Sequence, residues 1–308
     1  MQASDKKKKK NSQVSRLADE IESSSSKRRR YLISQLFSNP ITLIALIILV
    51  LVLIAAIFGP QLVPHDPHLQ TLRMRLKPPF WQDGSVQEHL LGTDALGRDM
   101  LSRIIFGARV SLIVGVAAVT VQGTIGVFIG LLAGYYGGRV DTVAMRIGDV
   151  QQTIPFLILA LAITAILDSS LTNVIIVLGI TGWVTYARIV RGQVLALRER
   201  EFIEATRALG SNDFRIILRH ILPNVVGSVV VISTLTISTM ILAEASLSFL
   251  GFGVPPSIVT WGGMVTSGRD YLTIGWWVSI LPGIAILLTV LAINVLGDWL
   301  REALDPTL

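Results

Sequence analysis

The sequence predicts an all-α, polytopic membrane protein with six transmembrane helices, and three observations lead there. Charged residues make up only 16% of the 308-residue chain, against about 25% in an ordinary soluble domain. The first 40 residues hold 14 of the 48 charges, so the other 268 carry 34, too few to coat a water-soluble surface of that size. Charge-free apolar runs of about twenty residues recur, the length a helix needs to cross a hydrocarbon core roughly 30 Å thick. A transmembrane β-barrel would instead alternate in segments of about ten residues. The chain has no Cys, which excludes a disulfide-stapled scaffold, thiol catalysis, iron–sulfur ligation and Cys-based zinc sites.

Residues 1–35 form a basic tail. Ten of the 27 Lys and Arg residues lie before residue 31, with little apolar content, so the tail is expected to be disordered. The runs at 6–10 and 27–30 read either as a specific lipid or nucleic-acid site or as an orientation signal attracted to anionic lipid. The second reading places the tail at a cytoplasmic membrane surface, with the lipid bilayer as partner and no nucleic acid. Residues 36–60 hold the first helix. Its apolar run is 41–59, with Pro40 in the first turn and Pro60 after the end. A charged lead of 40 residues is too long for a signal peptide, so this helix reads as a retained anchor.

Residues 61–108 form a long extracytoplasmic loop. Pro60, Pro64, Pro67, Pro78 and Pro79 break its first half, and 99–109 reads as an amphipathic helix. A connection of this length usually meets something. Residues 109–298 form the core, with five further spans at 110–135, 152–167, 171–190, 225–243 and 275–296, the 152–167 run being the shortest. Residues 299–308 form a C-terminal tail. With both termini cytoplasmic, 20 Lys and Arg residues fall inside and seven outside, the asymmetry that orients such proteins.

Within the second span, Ala118, Gln122, Gly126, Gly130 and Gly134 repeat every four residues. That smooth stripe is either a path-lining face or a close packing seam. Asp149 and Asp168 lie 19 residues apart, about 28 Å along a continuous helix, so they read as polar ends of the third span. Glu244, near the outer end of the fifth span, is either a functional ionisable group or a structural one.

The segment 191–223 between the fourth and fifth spans is the most informative. It reads as two short helices around a break. Leu195, Phe202, Ala205 and Leu209 lie near one face of the first. Gly210 is placed as its C-terminal cap, and Ser211 or Asn212 can cap the next start. In the second, Phe214, Ile217, Leu218, Ile221 and Leu222 form an apolar stripe, before Pro223 opens the fifth span. Such a pair suits a protein groove or a lipid surface, and periodicity does not separate the two.

The run Glu204-Ala205-Thr206-Arg207-Ala208-Leu209-Gly210, with Leu222-Pro223 twelve residues after the glycine, resembles the EAA loop of bacterial ABC-importer permeases. Thr206 and His220 depart from that pattern. Arg219-His220-Ile221-Leu222-Pro223-Asn224 matches the form usual in the dipeptide/oligopeptide/nickel subfamily. Gly92-Thr93-Asp94 with Gly97-Arg98-Asp99, the run 132–138, the run 245–251, and Gly297-Asp298 with Leu304-Asp305-Pro306 are similar to blocks of that subfamily's second permease subunit. The resemblance covers about residues 35–307 and implies a type I ABC-importer permease fold. It implies a second homologous permease, two ABC ATPases and an extracytoplasmic solute-binding protein as partners, in a bacterial inner membrane. The coupling residues it implies are Glu204, Ala205, Gly210, Phe214, Leu222 and Pro223. The outer signature is Gly92, Thr93, Asp94, Gly97, Arg98 and Asp99, and Gln122, Gly126, Gly130 and Glu244 are path or packing positions. ATP and Mg would sit on the partner ATPases, and no cofactor on this chain. Peptide is the implied cargo, with nickel chelates, glutathione and sugars as alternatives.

Two other classes compete. A self-sufficient carrier or channel would need its own coupling-ion site, normally paired ionisable groups near the midplane or broken helices, and the spans carry no clean acid pair. A membrane enzyme would need a motif such as HExxH or GxxxxGK[ST]. Neither occurs, and all four His residues fall outside the spans.

Overall fold

The computed structural model describes residues 39–304. The basic tail 1–35, Asp305 and Pro306 lie outside the described residues. Among the described residues all regular secondary structure is helical, apart from one isolated bridge between Thr93 and Asp99. Five helices are long and apolar enough to cross a membrane, and a sharply bent pair brings the number to six if it is one span.

Helix α1 (Pro40–Leu62) starts at Asn39, whose side chain accepts the Ile41 N–H. Pro60 does not end it. A proline one turn from a helix terminus removes a single hydrogen bond, and the helix runs on to Leu62. Helix α2 (Met100–Tyr136) unites the amphipathic 99–109 segment with the second span in 37 residues. The change from amphipathic to apolar pattern marks entry into the bilayer, not a break in the backbone.

The third span is corrected. In place of one helix over 152–167, α3 (Gly138–Gln152) and α4 (Phe156–Thr164) meet at 84°. Pro155 lacks an N–H and biases the residue before it away from helix, so the chain turns at Thr153–Pro155. Asp149 therefore does not share a helix with Asp168; it pairs with Arg188 at 2.7 Å.

Helix α5 (Leu171–Arg198) is followed by α6 (Glu201–Ala208) and α7 (Asp213–Ile216). A π-turn (Ile217–Ile221) then leads into α8 (Leu222–Phe249) without a bend, so the second loop helix and the fifth span form one 37-residue helix. The π-turn directly precedes Pro223, and the Asn224 side-chain amide donates to the His220 carbonyl. Helices α9 (Trp261–Gly268) and α10 (Trp277–Leu304) complete the bundle.

The glycine stripe of α2 is a packing seam against α5. A Cβ on Gly126 would fall inside the contact radius of Tyr186 and the Trp183 carbonyl, and one on Gly130 would lie 2.7 Å from the Ala187 carbonyl oxygen. Three apolar clusters stack along the bundle. One end packs Met100, Trp261, Met264 and Trp277, the middle Val114, Ala118, Leu178 and Tyr186, and the other end Tyr135, Val194, Ile203 and Ile221. The first end carries the 61–99 segment and the third carries α6 and α7.

Candidate functional site: a capped end, a polar cavity and an open helix pair

The 61–99 segment folds back on itself around Asp94. The Asp94 carboxylate accepts the N–H groups of Leu96 and Arg98 at 2.8 and 3.0 Å and the Arg98 guanidinium at 2.6 Å. Arg103 approaches the same carboxylate at 3.6 Å and donates to the Pro67 carbonyl at 2.9 Å. Gly97 turns the loop with φ +73°, and a Cβ there would strike the Thr71 carbonyl; Gly92 is similarly left-handed at +77° against Lys77. The Thr93 hydroxyl donates to the Met74 carbonyl and accepts the Lys77 N–H, while its carbonyl accepts the Trp277 indole N–H at 3.0 Å. Asp99 caps α2 by accepting the Ser102 N–H at 2.7 Å. Thr93, Asp94, Asp99 and Arg103 are all buried. The outer signature is therefore a self-satisfied polar core.

Glu244 belongs with this end. It is 1% exposed, and the Ser248 and Thr260 hydroxyls donate to its Oε1 at 2.8 and 3.0 Å. Thr260 also caps α9 by accepting the Gly263 N–H, so Glu244 ties α8 to the start of α9. Arg269 stacks over the Phe249 ring at 5.7 Å.

Midway along the bundle lies a cavity of about 560 Å³, lined among others by Gln122, Gln151, Thr181, Tyr186, Thr236 and Thr239. Gln122 donates to the Leu178 carbonyl at 2.9 Å. Gln151 donates to the Thr181 carbonyl and accepts the Trp183 indole N–H, both at 2.8 Å. Of this lining, sequence reasoning selected Gln122 alone. Gln151-Gln152 before a proline, and Thr236 and Thr239 three apart on an apolar helix, are the signals that could have found the rest.

At the far end, α6 closes in a Schellman turn. The Ser211 N–H donates to the Thr206 carbonyl and the Gly210 N–H to that of Arg207. Gly210 has φ +83° with open space around it, so backbone conformation and not crowding demands glycine there. Asn212 caps α7 by accepting the Arg215 N–H at 2.9 Å. The apolar stripe predicted for the second helix is split. Ile217 and Ile221 turn inward, with Ile203 and Ile216, against Val190 and Val194. Phe214 and Leu218, one turn apart, face outward at 71% and 44% exposure, so only one edge of the stripe meets the bundle. Leu209 and Phe202 are also exposed, as are Glu204, Ala205 and Pro223, while Leu222 is half-buried. The pair is braced from behind: the Tyr135 hydroxyl donates to Asp213 at 2.7 Å, and the Arg207 guanidinium lies over the Tyr135 ring. Its hydrogen bond to the Tyr135 hydroxyl holds the Arg207 pKa above the ordinary value.

The chain is thus a bundle of helices of membrane-spanning length with a polar cavity midway, a capped end and a projecting helix pair opposite it. The profile of the family described as "Binding-protein-dependent transport system inner membrane component" matches residues 126–308, and that of the "N-terminal TM domain of oligopeptide transport permease C" matches 29–79. The chain is 43% identical over 263 residues to a "Di/tripeptide transport system permease protein DppC" of Pseudomonas aeruginosa, covering 85% of this chain and 87% of the relative. It is 40% identical to a "Dipeptide transport system permease protein DppC" of Bacillus subtilis, covering 97% and 92%. It is 45% identical to a "Glutathione transport system permease protein GsiD" of Pectobacterium atrosepticum, covering 84% and 85%. The chain belongs to the family of binding-protein-dependent transport system inner membrane components. Its fold is that of a subunit in a solved inward-facing MetNI methionine ABC transporter, with a TM-score of 0.54 over 67% of this chain and 98% of that one, at 22% identity.

Proposed function

We propose that this chain is one of two permeases of an ATP-driven importer and that its cargo is a peptide. The names of the relatives support peptide over a nickel chelate or a sugar, with glutathione, itself a small peptide, inside the same class. The 560 Å³ cavity, half-lined by amides and hydroxyls, is a neutral surface suited to the peptide backbone of the cargo and indifferent to its side chains. A second permease closes the path, two ATPases with their ATP and Mg bind below, and a solute-binding protein docks above. Both termini are cytoplasmic. A Cys introduced at position 85 then reacts with an impermeant reagent from outside and one at 212 does not; the opposite pattern would reverse the orientation.

The observation that carries this reading is the open helix pair. Phe202, Leu209 and Phe214 are exposed beside Glu204 at the tip of a rigidly braced turn. Exposed aromatic and aliphatic anchors next to a charge fit a groove in a partner protein. Because α7 is continuous with α8, ATPase closure moves a 37-residue lever whose other half borders the cavity through Thr236 and Thr239. The test is ATP hydrolysis by the reconstituted complex, with and without loaded binding protein. Gly210→Val and Glu204→Lys are expected to lose stimulation at least tenfold while the binding protein's affinity for cargo is unchanged. Full stimulation in both would remove the helix pair from coupling.

A further inference from the structure

The capped end contains a cluster of metal-ligating side chains that the transport reading does not use. His65, His89 and Asp99 each offer a ligand atom, and these atoms all lie within 4.8 Å of one another. They come from three places: the stretch just past α1, the middle of the 61–99 segment, and the N-cap of α2. The His89 Nδ1 is 2.9 Å from Asp99 Oδ1, and the His65 Nδ1 is 3.8 Å from Asp99 Oδ2. The two imidazole rings are 4.7 Å apart. His89 and Asp99 are buried.

His65 is the informative member. Its Nδ1 is buried and has no hydrogen-bond partner among the described residues. A buried nitrogen left unsatisfied costs free energy unless something supplies a partner. The backbone of His65 is nonetheless fixed, because its N–H donates to the Ser102 hydroxyl at 3.0 Å, one turn into the helix that Asp99 caps. The imidazole is thus held toward the carboxylate without bonding to it.

We propose that His65, His89 and Asp99 bind a divalent transition ion of the zinc class. Two imidazole nitrogens and one carboxylate oxygen are a donor set for zinc, with a fourth position left for water. Neighbouring ligand atoms around tetrahedral zinc are about 3.4 Å apart, from bonds of about 2.0–2.1 Å. The 2.9 and 3.8 Å separations, to the two oxygens of Asp99, lie on either side of that value, and with one atom from each residue all three lie within 4.8 Å, so side-chain rotations that draw them together complete the site. The ion replaces the His89–Asp99 hydrogen bond and gives the His65 nitrogen its partner. Bound there, it clips the end of α1 to the start of α2 and closes the 61–99 segment between them. The neighbouring Arg98 and Arg103 guanidiniums weaken the attraction for a dication, which points to micromolar affinity and not a tight structural site.

The full-length chain, purified in detergent with a tag free of histidine, is titrated with zinc against a chromophoric chelator and melted with and without the metal. The native chain is expected to bind one zinc with a Kd of about 10 μM or tighter and to melt at a higher temperature with zinc than with EDTA. His65→Ala removes a nitrogen that makes no hydrogen bond, so it is expected to fold normally while binding zinc at least tenfold more weakly and losing the melting shift. His68→Ala, adjacent in sequence but outside the cluster, is expected to behave as the native chain. X-ray absorption of the zinc-loaded chain should show imidazole scattering from two histidines. No binding by the native chain at 100 μM zinc, or equal binding by His65→Ala, would overturn the proposal.

Discussion

The two ends of the bundle carry signature sequences of similar length but use them in opposite ways. At the capped end, Thr93, Asp94 and Asp99 are buried and their oxygens are occupied by the chain's own N–H groups, guanidiniums and indole. At the other end, Glu204, Ala205, Leu209 and Phe214 face outward, and only the rear of the helix pair is tied down through Tyr135, Asp213 and Arg207. The difference teaches that a recognisable motif marks constraint without saying what imposes it. Satisfied polar groups are constrained by this fold; exposed apolar ones at a braced turn are constrained by something outside it.

That contrast gives a ranking of expected damage to the folded chain. Asp94→Ala should be the most severe, because it leaves the Arg98 and Arg103 guanidiniums buried without their carboxylate. Breaking one partner of such a network costs about 3–5 kcal/mol, read as a large drop in melting temperature or loss of a monodisperse gel-filtration peak. Gly97→Ala should follow at about 3 kcal/mol, from a left-handed backbone together with the collision at Thr71. Gly210→Val, with the same sign of φ but open space, should cost only about 1–2 kcal/mol and leave the chain folded. Asn212→Ala should cost about 1 kcal/mol by removing the α7 cap, visible as faster proteolysis near 212. Glu204→Lys should change stability by no more than about 0.5 kcal/mol, as a surface substitution does. A Gly97→Ala chain as stable as a Gly210→Val chain would break the contrast.

The spans were legible because hydrophobic length is a local property: α1, α5, α8 and α10 each begin or end within a few residues of a charge-free run. The bend at Pro155 was less so, since the apolar run lies only beyond the turn, after Gln151-Gln152, and the break depends on one missing N–H. The reach of α8 back to Asp213 was hidden by Pro223, which reads as a helix start although a π-turn directly precedes it. At the sites, Gly210 was readable as a cap from its place after an amphipathic helix. The bonds of Thr93 and Asp94 were not all readable: Arg98, four residues after Asp94, is a local signal, but Thr93 meeting Trp277 is a contact across 184 residues. The division of the Phe214 stripe escaped because all five residues are apolar, and which of them meet Val190 and Val194 depends on contacts distant in sequence.

The central claim is that the capped end holds the fold while the helix pair serves a partner, and melting temperature measured beside binding-protein-stimulated ATP hydrolysis tests it most directly. Asp94→Asn and Glu204→Lys are compared with the native chain in the reconstituted complex. Asp94→Asn keeps the shape but loses the charge that two guanidiniums require, so its melting temperature should fall, and the fraction that remains folded should keep native stimulation per molecule. Glu204→Lys should melt as the native chain does and lose stimulation. A stable, uncoupled Asp94→Asn chain together with an unstable, fully coupled Glu204→Lys chain would contradict the account.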